Sequence, residues 1–428
     1  MAQSESKKGK AALGFWGCWS LTVGVMIGSG IFMLPTVLAP YGMMSMGGWA
    51  LTAGGSIILA LVLGRLAGRT EHSGGPYTYA RENFGDLTGF LVVWGHWASY
   101  FVAIPAIAIA FVGYLAVFVP GLDGNAVGQG VAALVLIWTL TLISIRGVSS
   151  AGLVQVMMTL LKLLPLLLII GAGMAMGSTQ NLPALNPSGE SLLSVLAATA
   201  LLTMWAFAGL EAGVIPAGDV ENPKKTLPRA VVTGTIFTAV IYVGSTLAVM
   251  MLVPSGELVN STSPFADAAR ALGSWGGPLV AIGAMIATAG SLNGNIFTAG
   301  QLPLAAAQDR LAPAWLGKLN GGHSPQGALI LSSVLGSVLL VANYSRGLVG
   351  AFTFLLMMST VCTLAPLLIS ALAEIKHSWR SARAWAVVAL IGALYSTFAI
   401  WGSGLEVIGW GIVLLFLGLP VYFLGRQR

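Results

Sequence analysis

Of the 428 residues, 56% are hydrophobic and 8% are charged, which leaves too little polar surface to enclose a water-soluble globule of this length. The formal net charge of +6 is spread over short basic segments with no stripe or cluster, so nucleic-acid binding is excluded as its purpose. The chain reads as an all-α polytopic membrane protein, in which about 20 apolar residues make one crossing.

Twelve apolar segments follow in chain order, at 12–39, 43–67, 87–118, 126–145, 151–176, 191–216, 228–253, 276–302, 326–343, 347–373, 381–403 and 404–425. The last two are divided by Gly402-Ser403-Gly404 alone. A basic stretch precedes the first segment, but no small-residue cleavage pattern follows a short apolar core, so this segment reads as a retained helix. Placing the N-terminus in the cytoplasm puts seventeen of the twenty Lys and Arg residues in inner segments, as the positive-inside rule requires. Arg270 and Arg346 fall in outer loops and Lys162 within a span. Both termini are then cytoplasmic. Cys18 and Cys362 fall inside spans, away from metal-ligating neighbours, and read as small packing residues.

Two of these segments contain glycine interruptions at matching depth. Gly28-Ser29-Gly30, entered through Met26 and Ile27, interrupts the first; Gly209 to Gly213, entered through Trp205, Phe207 and Ala208, interrupts the sixth. An unpaired backbone N–H or C=O in hydrocarbon costs on the order of several kcal/mol, so unwound backbone survives at that depth where it lines a cavity or meets a ligand. Paired breaks in two halves of a chain point to a transporter substrate site. Close helix packing is the competing account of the glycines. Spans 1 to 5 (12–176) and 6 to 10 (191–373) form candidate five-helix repeats. Five is odd, so the second repeat is inverted, and 381–425 adds two further helices to one membrane transport domain.

Five motifs carry a family resemblance over nearly the whole length. They are Gly28-Ser29-Gly30-Ile31-Phe32 followed by Leu34-Pro35, the run from Ser73 to Ala80, Trp205 to Glu211, Glu221 to Pro228, and Ser263 to Arg270. The chain resembles the amino acid, polyamine and organocation transporter superfamily, and within it the basic amino acid/polyamine antiporters of the arginine/agmatine type. The resemblance implies twelve helices in a 5+5 inverted repeat of the LeuT-like kind, with helices 1 and 6 broken. It further implies an amino acid or amine as substrate, no cofactor, a location in the bacterial inner membrane, and the homodimer in which similar transporters are often found.

Residue by residue, the resemblance places a substrate carboxylate on the N–H groups of Gly28, Ser29 and Gly30, helped by a helix end carrying roughly half a positive charge. It places the α-amine on carbonyls around Phe207, Ala208 and Gly209. Trp205 matches an aromatic gate, with a core tryptophan as the alternative. Most of His96, Ser99, Tyr100 and Ile104 share one face of span 3, and they match the side-chain-binding face; His96 is a proton carrier or a structural histidine. Asn295 on span 8 and Ser359 on span 10 fall at pocket positions.

Two charges are placed deep within spans, away from the segment ends. Glu211 is the carboxylate expected there, and an intramembrane acid is functional by default, as a coupling or gating group, against a structural hydrogen-bonding role. Lys162 sits too deep in span 5 to snorkel. In sodium-independent branches of the fold a lysine at a similar position replaces a cation beside span 1, whereas arginine/agmatine antiporters usually lack it; a buried Lys162–Glu211 pair is the alternative. Ile104 and Asn295 also depart from the arginine/agmatine pattern, which widens the substrate to amino acids and related amines. The expected function is alternating-access exchange, with proton-coupled symport as the second reading. A channel lacks a ring of like charges here, and an enzyme lacks a catalytic cluster.

Overall fold

The computed structural model describes residues 14–67, 69, 75–146, 152–210, 220 and 223–426, without the side chains of 152–160, 223, 224, 344 and 424–426. Glu211, Ser73, Gly74, Glu221 and Asn222 lie outside the described residues.

The first apolar segment forms α1 (Phe15–Met26), a 3-10 turn at Gly30–Phe32, and α2 (Leu34–Leu38). After α3 (Ser45–Ala67), the short α4 (Pro76–Phe84) leads into α5 (Asp86–Leu115). The first half closes with α6 (Ala126–Ile145) and α7 (Gly152–Met176). The second half opens with α8 (Leu192–Met204), which tightens into a 3-10 turn at Trp205–Phe207. It continues through α9 (Pro223–Leu252), α10 (Ser255–Leu258), α11 (Pro264–Ala269), α12 (Gly276–Gln308), α13 (Gln326–Ala342) and α14 (Gly347–Ser378). The last two are α15 (Arg383–Trp401) and α16 (Gly404–Arg426). Among the described residues, eight helical stretches are long and apolar enough to cross a membrane, and four shorter apolar helices stand at 15–26, 161–176, 192–207 and 326–342.

Why these segments sort into centre and periphery follows from their composition. α5 is apolar on every side and therefore buried on every side, packing against α6, α12, α13, α14 and α16. α6 and α16 leave most of their apolar surface exposed, as a helix facing lipid does. A second group forms where α1 packs on α9 and α3 packs on α8 and α9, with α7 bridging from α9 to α12. Small residues permit the close approaches: a Cβ at Gly48 would collide with the Thr199 side chain, and one at Gly173 would stand 2.5 Å from Ala248 Cβ. Cys18 and Cys362 are buried free thiols.

Glu374, just past the end of the tenth apolar segment, lies inside α14 and is fully buried. The physical reason is pairing: Arg65 Nε at 2.8 Å and Arg69 Nη1 at 2.9 Å reach its two oxygens from the end of α3, and Ser378 donates to it. The Arg65 guanidinium also lies 4.5 Å above the ring of Trp385 on α15. Removing one partner of a fully buried pair costs about 3–5 kcal/mol. The two arginines are 24% and 28% exposed and can rehydrate, so Glu374→Gln is expected to cost about 1–3 kcal/mol, read as a lowered melting temperature of the detergent-solubilised protein.

Candidate substrate cavity

The two helix breaks are built differently. In α1 the Ile27 N–H still reaches the Val23 carbonyl at 2.9 Å, but Ile27 is extended at φ −73°, ψ 92°, and regular bonding stops. In the second break, Ala208 is extended at φ −58°, ψ 135°, and Gly209 turns to φ +98°. Glycine is required at 209 on two counts: that φ strains any L side chain, and a Cβ would stand 2.5 Å from Val25 Cγ1. The breaks also lie against each other, since a Cβ at Gly30 would meet Ala206 Cα at 3.3 Å and Trp205 Cε3 at 3.4 Å.

Most backbone groups loosened by the breaks find a partner. The Tyr242 hydroxyl, from α9, lies 2.6 Å from the Met26 carbonyl oxygen and 3.3 Å from that of Ala206. Ala208 N–H donates to the Trp205 carbonyl at 3.2 Å. Past the first break, the Tyr114 hydroxyl donates to the Phe32 carbonyl at 2.6 Å. Ser29 N–H donates to Ser291 Oγ on α12 at 3.3 Å, and Gly28 lets this contact form, because a Cβ there would stand 2.6 Å from the same oxygen.

Between the breaks lies a cavity of about 250 Å³. Met26, Gly28, Ser29 and Gly30 line it from the first break; Trp205, Ala208 and Gly209 line it from the second. His96, Ser99 and Tyr100 reach it from α5, Lys162 from α7, Asn295 from α12 and Ser359 from α14. Ile27 and Phe207 do not line it. Both are fully buried, and Phe207 packs against Trp49 at 6.0 Å and Tyr242 at 5.8 Å between ring centroids. Ile104 also turns away, into α13, where a Cβ at Gly336 would touch its Cγ2 at 3.1 Å. Ala103 and Ile107 take that place on the cavity face of α5, and the 3.6-residue period from His96 and Tyr100 is the signal that selects them. Ser291, Thr298 and Thr363 line the cavity as well; isolated hydroxyls in apolar helices carry no pattern that singles them out.

The chemistry of the walls is unequal. Lys162 is 6% exposed and enters from the helix that packs on α1, α9 and α12, with no carboxylate paired to it among the described residues. Four hydroxyls elsewhere donate their protons to backbone: Ser99 to the His96 carbonyl at 2.7 Å, Thr298 to Gly294 at 2.9 Å, Ser359 to Ser99 at 2.8 Å and Thr363 to Ser359 at 3.0 Å. Each oxygen is left with lone pairs and no proton to offer. Asn295 Oδ1 is buried and has no hydrogen-bond partner among the described residues. Trp205 closes one side, packed edge-on to Phe352 at 5.5 Å, and the His96 and Tyr100 rings lie 5.3 Å apart.

Known proteins share this sequence pattern along most of the chain. The amino acid permease family pattern matches residues 13–424. The putrescine transporter PotE of Escherichia coli K12 is 30% identical over 100% of this chain and 98% of its own length. A Bacillus subtilis protein provisionally named as an arginine/ornithine antiporter is 32% identical over 95% of this chain and 96% of its own. The cadaverine/lysine antiporter of E. coli K12 is 30% identical over 77% and 74%.

Glycines on the cavity give a matched pair of expectations. Gly209→Ala is expected to lose about 1–2 kcal/mol from its left-handed backbone, with more from the Val25 contact. Gly294 lines the cavity, and a Cβ there would meet nothing within 4 Å. At that position alanine is expected to gain up to about 1 kcal/mol of helix stability while narrowing the cavity. Melting temperatures of the two purified variants, alongside uptake, check both.

Proposed function

The chain belongs to the amino acid permease family and is a multi-pass membrane transporter, and from that premise we propose that it exchanges amino acids and related amines across the bacterial inner membrane by alternating access. The reading takes twelve membrane helices in a 5+5 inverted repeat, residues 12–176 and 191–373, with 381–425 appended and both termini cytoplasmic. The broken helices rock against the remaining scaffold and expose the cavity to one side and then the other.

The observation that carries the reading is the unequal cavity wall. Backbone at Gly28 and Gly30, beside the Ser29 N–H already held by Ser291, and the Lys162 ammonium offer donors and positive charge to a carboxylate. The oxygens of Ser99, Thr298, Ser359, Thr363 and Asn295 offer acceptors without competing protons, which suits an ammonium, three donors with no acceptor. Ala208 and Gly209 supply carbonyls for an α-amine, and Trp205 a face for the substrate's aliphatic or cationic part. Exchange is favoured over symport because the relative named for cadaverine and lysine is an antiporter. An empty carrier that reorients poorly then needs a counter-substrate to return. Glu211, next in the chain after Leu210, is the acid assigned to coupling or gating, and Lys162 steadies the broken α1 without sodium.

Purified protein in sodium-free proteoliposomes tests this. Labelled arginine, ornithine, lysine, putrescine or cadaverine is expected to enter vesicles preloaded with unlabelled substrate and not empty ones. Uptake into empty vesicles driven by an imposed pH gradient and lost in Glu211→Gln would replace exchange with proton symport, and uptake of no amino acid or amine would overturn transport of this class. Asn295→Leu, which removes the orphan acceptor, is expected to raise KM about tenfold with the protein still folded, in line with about 1–2 kcal/mol for one such hydrogen bond.

A further inference from the structure

Tyr242 is fully buried in α9, outside every motif that singles out the site, and its hydroxyl stands where both helix breaks meet. The two carbonyls it serves are special. Met26 is the last helical residue before the first break, and Ala206 lies in the 3-10 turn that begins the second. Both lose helical partners at the breaks, and in a water-free interior each needs another donor. A phenol has a single proton, so one donor is divided between two acceptors, closer to Met26 at 2.6 Å than to Ala206 at 3.3 Å. Its ring is seated on Trp49 of α3 at 5.4 Å and on Phe207 of the second break at 5.8 Å, while its hydroxyl reaches across to the Met26 carbonyl of the first, so the side chain ties one break to the other.

We propose that Tyr242 is a positioning residue that sets the spacing between the two helix breaks, and so the fit of the α-carboxylate and α-amine carried together by an amino acid. The inference rests on the reading of the cavity as a substrate site. Gly28 to Gly30 and Ala208 to Gly209 face the same cavity from opposite breaks. An α-amino acid spans them with two groups joined through one carbon, so a displacement of one break against the other spoils its fit. A diamine has no carboxylate to place on the first break, and its binding is insensitive to that displacement. Tyr242 therefore acts on amino acids and diamines unequally. General loosening of the fold acts on both alike.

The test compares ornithine with putrescine, and lysine with cadaverine, pairs that differ by the carboxylate. Each is measured as a KM for exchange, or as a competitor of labelled arginine, in wild type, Tyr242→Phe and Tyr114→Phe. Tyr114→Phe is the matched control: its hydroxyl is as buried and caps the carbonyl of Phe32, which does not line the cavity, whereas Met26 and Ala206 do. Tyr242→Phe is expected to raise the amino acid KM at least fivefold more than the diamine KM, with the ratio unchanged in Tyr114→Phe. Equal increases for both members of a pair, no increase, or the same ratio change in Tyr114→Phe would overturn the proposal. If Tyr242→Phe does not fold, 3,5-difluorotyrosine at 242 keeps ring and O–H while strengthening the donor. A shift of at least twofold in the amino acid to diamine KM ratio then supports the assignment, and an unchanged ratio overturns it. Wild-type protein that takes up or binds none of these compounds would instead overturn the functional reading itself, before any variant is made.

Discussion

A peptide group in hydrocarbon has no water to fall back on, and most of what is distinctive in this molecule answers that constraint. Where α1 and α8 stop being helical, the liberated groups do not wait for a ligand. Tyr242 takes the Met26 and Ala206 carbonyls, Tyr114 the Phe32 carbonyl and Ser291 the Ser29 N–H. Each of these donors and acceptors comes from a different helix, α9, α5 and α12, so the breaks are tied to both helix groups. Unwound backbone that would cost on the order of several kcal/mol per unpaired group is stabilised through side chains that are themselves fully or largely buried.

The same constraint governs side chains. Ser99, Thr298 and Thr363 return their protons to carbonyls in or beside their own turn, which removes an unpaired donor from the interior. The consequence is chemical: the oxygen left facing the cavity is an acceptor. Charge is handled by the same logic where the ends of α3 and α14 meet, and Glu374 is fully buried there because two guanidiniums and a hydroxyl surround it. Lys162 has no such company among the described residues, and it borders the cavity. One buried charge is paired within the fold, and the other is turned towards the space where a substrate would sit.

Glycine supplies the geometry. Gly28 brings α1 close enough for Ser291 to reach Ser29, Gly30 allows the two breaks to touch, and Gly209 supplies a backbone conformation that other residues adopt at a cost. These three positions act through contact between segments far apart in sequence. Gly290 and Gly294, by contrast, open on to unfilled space at the cavity wall. The same residue type thus provides contact in one place and room in another.

Much of this was legible in one dimension. Hydrophobic run length marked the helical segments, glycine at matching depth marked both breaks, and thirteen of the residues named from sequence, from Met26 to Ser359, line one cavity. Those signals are local, set by transfer free energy and by backbone freedom, and each can be read within one helix. What the sequence could not show is which face of each helix meets which neighbour. That choice turned Ile104 into α13 and Ala103 into the cavity, buried Phe207 against Trp49, and drew Arg65 and Arg69 on to Glu374. Tyr242, Ser291, Thr298 and Thr363 are ordinary residues in apolar helices until packing sets them beside a break or a wall. A hydrogen bond reaches about 3 Å, and only the tertiary structure decides which groups separated by two hundred residues come within that distance.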